Sequence, residues 1–561
     1  MKLAVVLDKI VEEFRMDAIS LRCWLELEKE LNISPCVILS EMNNRGIPAA
    51  CELDVCNAVA MRALSLASGN PAACLDWNNN YADASDKCIL FHCGPVPQKM
   101  MTGKGLLVDH PMFAKALGAG CGFRCNTGRI SASPFTFSSA KTQDGKLHSI
   151  LSSDTRGEEY IEQLRKNPGQ QKFYGINPNI LGINYSLPKL QWTRDKKPEL
   201  FKKPDHFLLW ADAVCFLLGA EPVTNNSHAN MTLLFDMNRQ DWSENLLGLT
   251  GIPREKLGRI VPGGSSIGTV SDSMAGELSL GTGVKIIAGG HDQCCNSLGS
   301  GSISAGSAVC GIGSYECITP CFDRIPNSGD MLKTGLNVEN HLIPGLYLSF
   351  IYNQSGTLVK WFRDTFASAE KDVGNIYDVL SGEMSGHPTS ILVLPYFEPT
   401  GSPHFISNAS GIIAGLKTST KRGEILRAIM ESSSYYFADS IESLGRLGIR
   451  IEEISATGGG AKSDKWLQMK ADIFGVPFTR LRITEGSVLG AAMLAGISTG
   501  RFSAEDAVNI FVKEDRSFCP DSKRHECYRE RIEIYRKLYK ANHEIMMGLN
   551  ELKNDSTAGF P

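Results

Sequence analysis

Residues 451–478 read IEEISATGGGAKSDKWLQMKADIFGVPF. The apolar character of Ile451–Ala456 predicts a strand. Three glycines follow, Gly458, Gly459 and Gly460, and then a helix in which Trp466, Met469 and Ile473 recur at helical spacing. Ser463 is placed to cap that helix. A strand that turns on glycines into a helix is the unit of an α/β fold. Such a turn lets the backbone approach a ligand closely, and the free N–H groups of the helix favour phosphate. The same pattern also serves as a plain structural turn.

Two further segments carry chemistry. Residues 284–290, VKIIAGG, predict a strand that ends in glycines, and His291, Asp292 and Gln293 come next. A carboxylate directly after two glycines can reach into a cleft without crowding. It can equally cap the next helix. Residues 303–316 predict a hairpin with Gly313 and Ser314 near its tip. Backbone N–H groups and a hydroxyl there can face phosphates, or the tip can be a tight turn with no ligand.

Taken together these strings resemble the FGGY carbohydrate kinases. The family signature G-G-G-A-x-S followed by W-x-Q-x-x-A-D is matched by Gly458, Gly459, Gly460, Ala461, Ser463, Trp466, Gln468, Ala471 and Asp472. EGSVLGAAMLAG at 485–496 resembles the alanine-rich helix that follows it. Weaker echoes at 188–199, 206–222 and 394–415 extend the resemblance over about 175–550. It implies an actin-like ATPase (ribonuclease H-like) α/β fold and ATP-dependent phosphorylation of a ketose such as xylulose, ribulose or fuculose. It implies Asp292 as catalytic base and His291 and Gln293 as sugar contacts. ATP would lie against Gly313, Ser314, Gly458–Ala461 and Ser463, with Mg2+ as the accompanying ion. The family's Asp-x-Gly-Thr phosphate turn has no counterpart in residues 1–180, nor is there a Walker-type loop.

The front of the chain has α/β patterning of its own. Helices are expected at 21–31 and 55–67, and strands at 35–39 and 71–75. Residues 17–150 resemble the C-terminal part of the L-fucose/D-arabinose isomerases, in Leu21–Trp24, Pro48–Asp54, Leu75–Asn79 and Phe91–Pro95. That resemblance implies Glu52 and Asp76 as manganese ligands, without the family's third ligand, a histidine. The expected layout is an isomerase-like fragment at 1–151, a polar junction at 152–179, the rest of a kinase N-terminal domain at 180–290, its C-terminal domain at 291–550 and a tail at 551–561. Helices are expected over 206–218, 424–446 and 527–549.

Composition sets outer limits. With 561 residues and a net charge of -4, the chain has neither the basic surface expected for nucleic acid nor that expected for an anionic membrane. No window approaches the ~18 apolar residues of a membrane span. The 17 cysteines mostly sit in apolar runs and read as buried free thiols in a cytoplasmic protein. A homo-oligomer is compatible with all of this. Three classes of function fit the sequence: a ketose kinase, an isomerase–kinase fusion (bifunctional or relic), and a nucleotide-binding protein without turnover.

Overall fold

The computed structural model describes residues 2–21, 35–51, 55–68, 70–74, 76–78, 89–91, 96–104, 106–109, 123–127, 156–370, 375–397, 400–406 and 410–555. The chain forms two compact units, Met1–Ser149 with Asp372–Gly374, and Ile150–Lys371 with Asn375–Pro561.

In the first unit, helices Lys2–Glu13, Cys36–Asn44 and Val55–Ser68 accompany short two-stranded ladders. The apolar run 35–39 was expected as a strand, but it opens the helix Cys36–Asn44 and buries Leu39 and Met42. Four or five apolar residues suit a buried strand or a helix turn equally, and here packing decides. The strand expected at 71–75 begins later, at Asp76–Asn78. The helix expected at 21–31 falls outside the described residues.

The second unit is built on an eight-stranded mixed sheet. Its strands are β1 (Ser307–Ile312), β2 (Tyr315–Phe322), β3 (Glu339–Asn340), β4 (Tyr347–Leu348), β5 (Ile351–Gln354), β6 (Glu453–Thr457), β7 (Phe478–Leu481) and β8 (Glu514–Phe518). They lie in the order β3-β4-β2-β1-β6-β7-β8, and β5 also pairs with β2. β1, β6 and β7 run parallel, with Gly311 in register with Thr457. Their carboxyl ends therefore open on one edge, where ligands of open α/β sheets bind.

Helices α1 (Asp292–Gly299), α2 (Gly356–Phe366), α3 (Arg422–Arg446), α4 (Asp464–Phe474), α5 (Gly486–Ser498) and α6 (Ser522–Asp555) surround the sheet. α3 is buried through most of its length, including Leu426, Ile429, Tyr435 and Phe437. Each such side chain contributes about 1.5–3 kcal/mol relative to exposure. Its buried charges are matched: Arg427 Nε donates to Glu431 Oε1 at 2.6 Å, and Tyr528 of α6 donates to the same oxygen at 2.9 Å. The polar stretch expected as a junction folds as well. Helices Glu158–Leu164 and Gln170–Tyr174 bury Ile161, Leu164, Phe173 and Tyr174 in the main core. The helix expected over 206–218 begins only at Trp210, and Trp210, Phe216 and Leu217 face solvent.

Helices α1 and α5 touch backbone to backbone. A β-carbon at Gly490 would run into the Cys295 carbonyl, and one at Gly299 into the Gly486 carbonyl. Only glycines let the two backbones touch. Replacing Gly490 by Val should therefore lower unfolding stability by about 1–3 kcal/mol, the usual effect of overpacking. Urea denaturation checks this, and a wild-type midpoint would show that the helices part without loss.

Candidate functional site

Strand Lys285–Ile287 leads through Gly289 and Gly290 to α1. His291 is the N-cap of that helix, and its Nδ1 accepts from Gln293 N at 3.3 Å. The imidazole stacks on Phe350 with centroids 5.0 Å apart. Burial holds His291 below the ordinary histidine value. The adjacent Asp292 carboxylate opposes that shift and His228 adds to it. Asp292 is the first residue of α1, and its side chain is 69% exposed. Its Oδ1 accepts from Gln293 N at 2.7 Å and lies 3.1 Å from His291 Nδ1. The carboxylate thus sits at a positive helix end with most of its surface open.

One turn along α1, Asn296 lies against Gly311 at the end of β1, and it also touches the start of α5. Gly313 and Ser314 make the hairpin tip between β1 and β2. Their carbonyls accept from Ser355 N, Gly356 N and Thr357 N at 3.2 Å each. The tip therefore caps α2, while the Gly313 N–H is used within the hairpin. Gly313 N donates to Tyr315 O at 3.0 Å.

The glycine turn follows β6 directly. Gly458 has φ +87°, a left-handed conformation that only glycine adopts without strain, and a β-carbon there would press on Ile312 O. Gly460 packs against Ile312 and the Trp466 ring, whereas Gly459 has open space. Ser463 caps α4 by accepting from Trp466 N at 3.3 Å. The turn therefore rests on the end of β1, beside the Gly313–Ser314 tip. A cavity of about 760 Å³ opens beside it, lined by Gly458, Ala461, Ser463, Lys465, Arg480 and Arg482 among others. That volume is in the range of small-molecule sites. Arg480 is held at its rim by Asp464 (2.6 Å) and Asp515 (2.5 Å).

Beneath the turn lies a fully buried ion pair, Lys470 Nζ to Glu316 Oε1 at 2.6 Å. Lys470 also donates to Ser434 at 3.1 Å and lies 5.3 Å from the Trp466 ring centroid. It ties α4, which carries the glycine turn, to β2, which carries the hairpin. The sequence signature includes Trp466 and Ala471 but passes over Lys470 between them.

Asp292, His291, Gln293, Gly313, Ser314, Gly458–Ala461 and Ser463 thus gather at one edge of the sheet. Of the two carboxylates expected to hold manganese, Glu52 lies outside the described residues and Asp76 opens the strand Asp76–Asn78. Among the described residues no three His, Cys, Asp or Glu side chains form a metal-binding group. No helix among them is long and apolar enough to cross a membrane.

The FGGY family of carbohydrate kinases matches this chain through both its domains, the N-terminal one over residues 139–299 and the C-terminal one over 326–499. The xylulose kinase of Staphylococcus epidermidis is 30% identical over 407 residues, covering 72% of this chain and 80% of that protein. The chain belongs to the FGGY carbohydrate kinases. Among solved structures, the xylulose kinase of Rhodospirillum rubrum superposes with a TM-score of 0.65 at 24% identity, over 70% of this chain and 80% of its own. The glycerol kinase of Plasmodium falciparum with ADP gives 0.62 at 20% identity, over 70% and 78%. These neighbours share the mixed α/β fold of the family.

One buried carboxylate in this FGGY kinase escaped the sequence reading. Glu339 is fully buried; Asn230 donates to its Oε2 at 3.1 Å and Asn340 N to its Oε1 at 2.7 Å. It joins the 226–230 segment to β3, behind α1. The one hint in sequence is a lone carboxylate in the polar run Asn337-Val338-Glu339-Asn340-His341. Burial pushes the Glu339 carboxyl up to about 8 from 4.5, against the lowering effect of those hydrogen bonds. Folding then takes up a proton between those values, so stability should fall as pH rises from about 4.5 to about 8. Glu339→Gln should flatten that fall, which has a limiting slope of ~1.4 kcal/mol per pH unit. Melting temperatures over pH 5–8 measure it, and an unchanged slope in the variant would refute the assignment.

Proposed function

We propose that this chain is an ATP-dependent ketose kinase with Asp292 as its base. The observation that carries the reading is the shared edge: an open carboxylate at the start of α1, one helical turn from the end of β1, where the glycine turn also rests. The names of the relatives, xylulose kinase above all, favour xylulose, and the sequence resemblance adds ribulose and fuculose as further ketoses. His291 and Gln293 flank the base and contact the sugar. In the reaction the sugar hydroxyl oxygen attacks the γ-phosphorus of ATP. Its proton passes to an Asp292 carboxylate oxygen, and ADP leaves.

The nucleotide lies against Gly458–Ala461 and Ser463, with its phosphates toward Gly313 and Ser314. The bound ADP named for the glycerol kinase structure supports a nucleotide of this class. Lys465 and Arg482 at the cavity supply positive charge. Mg2+ is commonly held by one or two carboxylates together with substrate phosphates. Such an ion, held chiefly through the phosphates, would neutralise charge on the transferred group and leave the Asp292 carboxylate free to take the proton.

A second reading, nucleotide binding without transfer, is favoured by one sequence fact: residues 1–180 contain no Asp-x-Gly-Thr string. One experiment separates the two. ADP release is followed with xylulose, ribulose, fuculose and glycerol, and ADP binding is measured by calorimetry. The kinase reading expects ketose-stimulated release that Asp292→Asn lowers by about 10²–10⁴-fold with ADP binding retained. Binding without stimulated release by any sugar supports the second reading. A full rate in Asp292→Asn removes Asp292 from the role of base.

A further inference from the structure

Asp212 lies on the helix Trp210–Leu218 with its side chain only 6% exposed. Its Oδ1 is 3.2 Å from His228 Nδ1, and its Oδ2 has no hydrogen-bond partner among the described residues. A carboxylate so buried calls for a specific reason. His228 Nδ1 is also 2.7 Å from Asn225 Nδ2. The orientation of Asn225 is fixed by its neighbours. Its Oδ1 accepts from His228 N at 3.0 Å and from Ser227 Oγ at 2.7 Å, so its amide NH2 must point at the imidazole. His228 Nδ1 therefore faces an amide donor and a carboxyl oxygen at once.

The chain of bonds continues to the site. Ser227 Oγ accepts from His291 N at 2.9 Å, the backbone amide directly before Asp292. On the other side, Ser487 Oγ of α5 donates to the Asp292 carbonyl at 3.0 Å. The main chain at 291–292 is thus gripped from two directions. One grip comes from the glycine-packed α5. The other runs Asp212–His228–Asn225–Ser227–His291, out of the segment matched by the family's N-terminal domain. Aligned hydrogen bonds of this kind reinforce one another in a low-dielectric interior.

We infer that Asp212 and His228 form a positioning pair for the base, setting the place of Asp292 through Asn225 and Ser227 without touching substrate. This rests on the kinase reading for its catalytic consequence and on geometry alone for its structural one. The test uses the full chain with His228→Ala, His228→Asn and Ser227→Ala. Asn keeps an amide oxygen that can accept from Asn225 Nδ2. Hydrogen exchange at the His291 amide should quicken about 10-fold in His228→Ala and Ser227→Ala, the loss of roughly one hydrogen bond, and stay near wild type in His228→Asn. With the sugar that the wild type phosphorylates, kcat should fall about 10-fold in His228→Ala, with KM for ATP within about two-fold, and recover in His228→Asn. Unchanged exchange at His291 in His228→Ala overturns the proposal, as does equal loss of kcat in the Ala and Asn variants. If His228→Ala does not fold, Ser227→Ala decides, because it removes the His291 bond directly. A wild type that phosphorylates no sugar counts against the kinase reading, and the exchange result still judges the pair.

Discussion

Everything at the carboxyl edge of the sheet depends on two helices that touch backbone to backbone. α1 carries Asp292 and α5 lies across it, and glycines at 299, 486 and 490 remove the side chains that would hold them apart. Close contact brings Ser487 within reach of the Asp292 carbonyl and sets Asn296 between Gly311 and Gly486. A helix pair separated by ordinary side chains would lie 8–10 Å apart between axes and would leave Asp292 free to drift. Proximity effects are worth their full value only when reacting groups are held to within fractions of an ångström. A glycine contact is a stiff way to achieve that.

Behind this contact the interior holds several buried polar clusters. Asn177, Asn179, Asn230 and Glu339 bond to one another in a buried cluster. Lys470 and Glu316 form a second such centre below the glycine turn, and Arg427, Glu431 and Tyr528 a third. Each centre ties together elements far apart in sequence. Apolar packing tolerates small slides between elements, whereas a hydrogen-bonded cluster has one arrangement that satisfies it. The hairpin tip and the glycine turn are thereby held in register by groups that lie behind them.

The sequence made the local units around the site legible. The strand–glycine–helix turn at 453–474, the hairpin around Gly313 and the helices 422–446 and 522–555 all carry strong periodicity or unmistakable glycine spacing. The cap by Ser463 was readable for the same reason. Short apolar runs were not: PCVIL at 35–39 is helical because Leu39 and Met42 pack on one side, and four or five residues cannot announce that. The polar look of 152–179 also concealed two helices, since Tyr160, Ile161, Leu164, Phe173 and Tyr174 are buried on one side of them while most of the polar residues between are exposed. Long-range polar partners were invisible in principle. Nothing near Asp212 in sequence points to His228, and nothing near Lys470 points to Glu316, 154 positions away.

That last pair has a consequence for descent. Two opposite charges sealed from water each depend on the other, and losing either one strands its partner at a cost of about 3–5 kcal/mol. A replacement of both by apolar residues of similar volume is often tolerated. Positions 316 and 470 should therefore drift as a couple among related chains, both charged or both uncharged, with single changes rare. The floor beneath the glycine turn is in this sense inherited as one unit, although it is written in two distant parts of the gene.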